Sequence, residues 1–274
     1  MTSHGPTDYQ RILITGAAGR IGAVLRQGLR DQYPQIRITD VRPLSNPQAN
    51  EEIVIADIRD MTAMEQAMDG VEAVVHLAGT PSARDWATVV SLNIQGTYAV
   101  FEAARREGVS RIVFASTMHT MGMYPVTKPL TPDDPVRADS YYGVSKVFGE
   151  ALLRYYVDKH GLSGVCLRIG SFASEPKNLH QLQTWISHRD MVTLVHCALR
   201  QADIDFVVVF GFSKNAAFSG IDPNADKIAY RPLDNAEDYR DKLRQGGVEV
   251  DGSPDIPLFG GFMTAKDFDI DVLP

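Results

Sequence analysis

The stretch Arg11-Ile12-Leu13-Ile14-Thr15-Gly16-Ala17-Ala18-Gly19-Arg20-Ile21-Gly22 sets the reading of the whole chain. Its first five residues make a short apolar run bounded by glycine, the mark of a buried strand. Three glycines follow in Gly-x-x-Gly-x-x-Gly spacing. Behind them Ile21, Val24, Leu25 and Leu29 fall at i, i+3, i+4 and i+8, one stripe of a helix. Glycines between a strand and a helix let the backbone approach a pyrophosphate closely, and the helix N-terminus offers free N–H groups. The next expected strand, 36–39, ends at Asp40, twenty-four residues after Gly16. A carboxylate there can accept hydrogen bonds from both ribose hydroxyls and repel a 2′-phosphate, which favours NAD. Arg42, two residues on, leaves NADP as the alternative. Asp57 ends the third expected strand and is placed to face the adenine amino group. Either aspartate alone would suit a strand-end turn. Both in register with the glycines make a dinucleotide site.

Working outward, short apolar runs at 53–56, 71–77, 111–115 and 165–169 read as strands. Residues 86–106 and 142–160 read as helices. Strands alternating with helices predict a parallel sheet covered on both faces. Beyond residue 170 the pattern loosens. Ser187 is a predicted N-cap with Asp190 three residues later, opening a helix that runs to about Arg200. A strand at 206–210 and a short helix at 235–243 follow. The loops between them are long and contain Pro176, Pro223 and Pro232, the setting in which substrate contacts gather. Residues 246–274 hold a small apolar cluster, Leu258, Phe259 and Phe262, expected to dock on the body or on a second subunit. The expected organisation is a frayed segment over 1–10, a dinucleotide-binding domain over 11–170, and substrate loops with the tail over 171–274.

The chain has 274 residues and a formal net charge of −7, with no basic run, which argues against nucleic-acid and anionic-membrane partners. No apolar run is long enough to span a bilayer and none resembles a signal peptide, so the cytoplasm is the expected location. Cys166 and Cys197 each sit in an apolar run and read as reduced, buried thiols. The seven histidines show no metal-ligand spacing, and no metal is expected.

Chemistry enters with Ser140-Tyr141-Tyr142-Gly143-Val144-Ser145-Lys146. Tyr142 and Lys146 are four apart and share a face if the segment is helical. An ammonium beside a phenol favours the phenolate, so Tyr142 is the candidate base for an alcohol proton. Tyr-x-x-x-Lys by itself is a common pattern of surface helices. The glycine turn and Ala115-Ser116-Thr117, upstream of Tyr142, give it weight.

With these pieces in order, the sequence resembles the extended short-chain dehydrogenase/reductase superfamily, also described as NAD-dependent epimerases and dehydratases. The matching segments are Thr15 to Gly22, Asp57-Ile58, His76-Leu77-Ala78-Gly79, Asn93, Ser116-Thr117, Tyr142 with Lys146, and Arg168-Ile169-Gly170. Within it the chain is most similar to bacterial uronate dehydrogenases, through Arg111 to Ser116, Tyr142 to Glu150, Arg168 to Ser171, Glu175-Pro176, Thr184 to His188 and Arg231 to Glu237. The resemblance implies a Rossmann-type doubly wound parallel sheet, an α/β fold, with a small C-terminal substrate-binding region. It implies NAD as cofactor, held by Gly16, Ala18, Gly19, Arg20, Ile21, Gly22, Asp40, Asp57, Ile58, Leu77, Ala78, Gly79, Asn93, Ser116, Tyr142, Lys146 and Ile169. It implies oxidation of the anomeric hydroxyl of a pyranose to a lactone, with Tyr142 as base, Lys146 lowering its pKa, and Thr117 orienting the substrate oxygen. Self-association of identical chains is expected, as in most relatives.

The sugar contacts implied by the same resemblance are Pro81, Thr117, Met118, His119, Ser171 and His180. Three of these depart from the family pattern. Met118 stands where an asparagine is expected, Pro81 where a serine is, and His180 where an arginine would grip the sugar carboxylate. Phe218-Ser219-Gly220 replaces an aromatic pair. A histidine cannot reproduce a bidentate guanidinium. The C1 chemistry is therefore expected to hold while recognition of the far end of the sugar differs. A hexose 6-phosphate or a 6-sulfonated glucose is one alternative, with Arg84, Lys177, His180, His188 and Arg189 as candidate cations. A redox-neutral sugar epimerase or dehydratase is the other.

Overall fold

The computed structural model describes residues 7–81, 85–251 and 257–269. The strands are β1 (Arg11–Thr15), β2 (Gln35–Asp40), β3 (Glu51–Ile55), β4 (Ala73–His76), β5 (Arg111–Thr117), β6 (Ser163–Ile169), β7 (Ser171–Phe172), β8 (Trp185–Ile186) and β9 (Phe206–Gly211). The α-helices are α1 (Arg20–Leu29), α2 (Met61–Met68), α3 (Trp86–Val89), α4 (Gly96–Arg106), α5 (Tyr141–His160), α6 (Gln181–Thr184), α7 (His188–Arg200) and α8 (Arg240–Gln245). Seven strands form one parallel sheet in the order β3-β2-β1-β4-β5-β6-β9. The chain winds outward from β1 to β3, then crosses back to β4 and winds the other way. This opens a crevice at the C-terminal ends of β1 and β4, where ligands of such sheets bind.

The sheet is apolar on both faces because both are covered. On one side Ile12, Ile14, Ile36 and Ile38 pack with Leu25 and Leu29 of α1 and Leu194 and Val195 of α7. On the other, Leu13, Val74, Ile112 and Phe114 pack with Met64 and Met68 of α2, Phe101 of α4 and Leu153 of α5. This is the doubly wound arrangement the alternating pattern predicts.

The helix expected over 86–106 is continuous but not uniform. A π-helical turn, Val90–Gln95, separates α3 from α4, and the Gly96 N–H reaches back to the Ser91 carbonyl. Such turns insert a residue and re-aim a side chain. Here the buried member is Asn93. Helix α2 was not foreseen from the sequence, although Asp60 caps it by accepting the Ala63 N–H at 3.1 Å. Residues 7–10, expected to fray, are instead tied down: Tyr9 is buried, and Thr7 N–H donates to the Arg200 carbonyl at 2.8 Å. The tail cluster divides. Phe259 is buried in the body, whereas Phe262 is exposed. Both cysteines are free thiols; Cys166 is buried and Cys197 half-buried. Among the described residues, no helix is long and apolar enough to cross a membrane.

Candidate active site

The glycine turn has a steric reason at each end. Gly16 has φ +70°, and a Cβ there would lie 2.7 Å from the Ala78 nitrogen. A Cβ on Gly22 would lie 2.6 Å from the Gly16 carbonyl oxygen. Side chains at either position would force α1 away from the sheet. Gly19 occupies the N-cap of α1 and supplies no side-chain cap, so the first N–H groups of that helix are left to a ligand.

A cleft of about 630 Å³ runs from this turn along the C-terminal ends of the central strands. At one end stand Asp40, Arg42 and Asp57. Asp40 accepts the Ala18 N–H at 3.0 Å and the Arg42 N–H at 3.0 Å. Burial works to raise its pKa, but the hydrogen bonds from Arg42 and Ala18 prevail and hold it below the usual carboxylate range. Asp57 is held low chiefly by the Arg59 guanidinium, 2.5 Å away. The cradle without side chains, the uncapped helix and a carboxylate one strand away together fit a dinucleotide, as NAD requires.

At the other end β5 and α5 bring the chemistry together. Ser140 starts α5 by accepting the Gly143 N–H at 3.1 Å, which fixes where Tyr142 and Lys146 fall on the helix. Gly149 lets the helix lie against the Phe114 ring, since a Cβ there would meet that ring at 2.3 Å. Lys146 Nζ consequently sits 4.8 Å from the Phe114 ring centre and 5.8 Å from that of Tyr142. β5 runs two residues past its expected end and carries Ser116 and Thr117 to the cleft. Thr117 hydrogen-bonds to the Tyr142 hydroxyl.

Burial dominates the titration of both members of this pair. Burial pushes the phenol up to about 12, and the Thr117 hydrogen bond only partly offsets it. Burial also lowers Lys146 to about 8.

Behind the cleft lies a buried ion pair. Arg168 meets Glu150 through Nε and Nη2 at 2.9 and 2.8 Å. Ser116 donates to the same carboxylate at 2.5 Å, and Arg168 Nη1 donates to the Pro132 carbonyl at 3.0 Å. This network joins β5, α5, β6 and the loop after β5 into one unit. Ser116 thus lines the cleft while its hydroxyl faces inward.

The cleft wall gathers Gly16, Gly19, Arg20, Ile21, Gly22, Asp40, Asp57, Ile58, Leu77, Ala78, Gly79, Pro81, Ser116, Thr117, His119, Tyr142, Lys146 and Ile169 from the expected set. Others stand behind it. The Ala18 nitrogen is taken up by Asp40. Asn93 bonds both backbone groups of Thr80 and the Ser145 hydroxyl, so it braces the Gly79 loop against α5. Met118 is buried among Met121, Phe212 and Phe259. Ser171 shares a 3.0 Å hydrogen bond with Thr184, joining β7 to the end of α6. His180 Nε2 lies 2.8 Å from the Phe259 carbonyl oxygen. Of the candidate cations, Arg84 lies outside the described residues, Arg189 pairs with Asp234, and His188 stacks on Phe172 at 4.8 Å. Among the residues at the site not nominated from the sequence, two bear on the chemistry. Met263 lines the cleft, and Asp139 holds His119 Nδ1 at 2.7 Å. Neither lies in a recognisable motif; the apolar run near Phe259 was the only hint of the first.

Known proteins share this sequence pattern and fold. The model of the NAD dependent epimerase/dehydratase family matches residues 12–188. The uronate dehydrogenase of Agrobacterium fabrum is 39% identical over 252 residues, 92% of this chain and 95% of that one. The NAD-dependent glucose-6-phosphate dehydrogenase of Haloferax volcanii is 38% identical, covering 84% of this chain and 95% of that one. A crystal structure of a mutant uronate dehydrogenase from Agrobacterium tumefaciens complexed with NAD superposes with a TM-score of 0.89, at 38% identity, over 93% of this chain and 97% of that one.

Proposed function

This chain belongs to the NAD-dependent epimerase/dehydratase family, and from that premise we propose that it oxidises the anomeric hydroxyl of a pyranose to a lactone. It is an NAD-dependent oxidoreductase acting on a sugar CH–OH group, as its relatives are. One observation carries the finer reading. Thr117, Tyr142 and Lys146 converge at one end of a single cleft whose other end carries the glycine cradle and Asp40.

The residues divide the work. Gly16, Gly19 and Gly22 with the start of α1 would hold the pyrophosphate, and Asp40 the adenosine ribose. Bound there, NAD supplies the hydride acceptor and a positive charge at the cleft. Thr117 positions the anomeric oxygen, and Tyr142 Oη receives its proton. Lys146, buried and near its titration point, adds positive charge beside the phenolate as that proton is taken. His119 reaches the same end of the cleft and is offered as a sugar contact. Asn93 and the Glu150–Arg168 pair keep these groups in register.

The test is NADH formation by the purified protein with NAD and a panel of glucuronate, galacturonate, glucose, galactose, glucose 6-phosphate and 6-sulfonated glucose. NADH and a lactone product from any of them support the reading. No NADH from any, with NAD still bound, removes it in favour of a redox-neutral epimerase or dehydratase.

Self-association belongs to the same proposal. Trp86 and Tyr141 pack edge-on at 5.3 Å yet stay exposed, and Val144 and Tyr155 are exposed on the same helix as Tyr141. Light scattering at a chain mass above 30.2 kDa would support it. Two unpaired cysteines suit a reducing, cytoplasmic setting.

A further inference from the structure

Two of the dehydrogenases similar to this chain are named for sugars that differ at the carbon farthest from C1. One sugar carries a carboxylate there and the other a phosphate. What distinguishes such enzymes must sit at the end of the cleft opposite the nucleotide. In this chain the tail reaches the cleft through Met263, and its preceding residues are fixed to the body. Phe259 N–H donates to the Tyr124 carbonyl at 2.8 Å and Gly260 N–H to the Gly122 carbonyl at 2.9 Å. Leu258 pairs with Pro125 in an antiparallel bridge. The Phe259 ring is buried against Met118, Phe212 and Phe218. These include two of the positions that depart from the uronate-dehydrogenase pattern.

The third departure acts on the same segment. His180 bonds the Phe259 carbonyl at 2.8 Å, and a Cβ on Gly261 would lie 3.3 Å from its Nε2. Burial lowers the pKa of His180, so near neutral pH it is an uncharged donor to that carbonyl. It is neither aimed nor charged for a carboxylate. Gly260 also packs on Asp139, which holds His119 at the cleft. Three residues further, Met263 enters the cleft wall.

Resting on the dehydrogenase reading above, we propose that residues 257–263 are the specificity wall of the sugar pocket, latched by His180 and presenting Met263 to the distal end of the pyranose. Met118, Phe218 and His180 pack the wall instead of touching the sugar, whereas Pro81 lines the cleft. Selection at that end works by fit against a thioether, not through an ion pair at position 180.

Two aldose series test this: galacturonate, galactose and L-arabinose, and glucuronate, glucose and xylose. Within each series the ring is shared and only the distal substituent changes. In Met263→Ala, the kcat/KM ratios within a series shift by about tenfold, the scale of a changed apolar contact, while NAD affinity holds. In His180→Ala, hydrogen exchange at the Phe259 and Gly260 amides quickens about threefold to tenfold, as expected for one lost hydrogen bond. An active wild type whose ratios ignore Met263→Ala overturns the proposal. So does a His180→Ala variant that loses uronates selectively with tail exchange unchanged, for His180 would then be the carboxylate ligand. Silence of the wild type toward every sugar is a different result. It ends the dehydrogenase reading and the wall's role with it, and the exchange measurement alone then decides the latch.

Discussion

Asp139 Oδ2 lies 2.7 Å from His119 Nδ1, in a niche kept open by two glycines. A Cβ on Gly122 or Gly260 would come within 1.7 or 1.8 Å of that oxygen. The carboxylate accepts from Nδ1, which fixes the orientation of a ring that lines the cleft. Asp139 also accepts the Ser140 hydroxyl at 2.8 Å, and Ser140 caps the helix that carries Tyr142. One carboxylate therefore orients a cleft histidine and steadies the start of the helix that carries Tyr142.

Asp139→Ala is expected to lower kcat/KM for the sugar by about 10- to 100-fold, the cost of a misplaced contact. NAD affinity stays near wild type. Asp139→Asn, whose carbonyl can still accept from Nδ1, recovers part of the loss. A change in stability alone, with kinetics intact, would contradict the positioning role. Steady-state kinetics of the two variants read this out.

Tyr142→Phe is expected to cut kcat by about 10²- to 10⁴-fold, the range for a lost acid–base group. The fold and NAD binding are expected to remain, because among the described residues the phenol hydroxyl bonds Thr117 alone. An active variant would place the base elsewhere.

Lys146 binds its proton less readily in the folded chain, near 8, than in the unfolded chain, near 10.5. The unfolded state thus holds more protons between these values, and folding stability rises with pH across that window. The penalty is complete below pH 8. Lys146→Met is expected to be the more stable protein at pH 7 without NAD, by up to about 3 kcal/mol. Its advantage shrinks by pH 10, and it is inactive at both. Urea unfolding at the two pH values checks this.

Asp40→Ala removes the carboxylate that pairs with Arg42 at 3.2 Å. The guanidinium is then free to meet a 2′-phosphate. The ratio of kcat/KM for NADP to that for NAD is expected to rise by about tenfold or more, the weight of a charged hydrogen bond. An unchanged ratio would remove the ribose role of Asp40.

Much of this was legible in one dimension, for local reasons. Gly16, Gly19 and Gly22 announce the turn because backbone sterics there admit little else. Asp40 and Asp57 announce themselves by ending short apolar runs. Tyr142 and Lys146 pair through helical periodicity, and Ser187 caps its helix by accepting the Asp190 N–H at 2.9 Å, as its spacing predicts. Each of these signals spans one or two turns of chain.

What only the tertiary structure decided depends on contacts between distant segments. Met263 reaches the cleft, and His180 bonds Phe259, seventy-nine residues away, because the tail packs across the loop after β5. The titration of Tyr142 and Lys146 follows the same rule. Sequence spacing sets their separation along the helix, but the depth of burial that raises one and lowers the other comes from the sheet and the loops packed around them. Desolvation is a property of the whole enclosure, and no four-residue motif carries it.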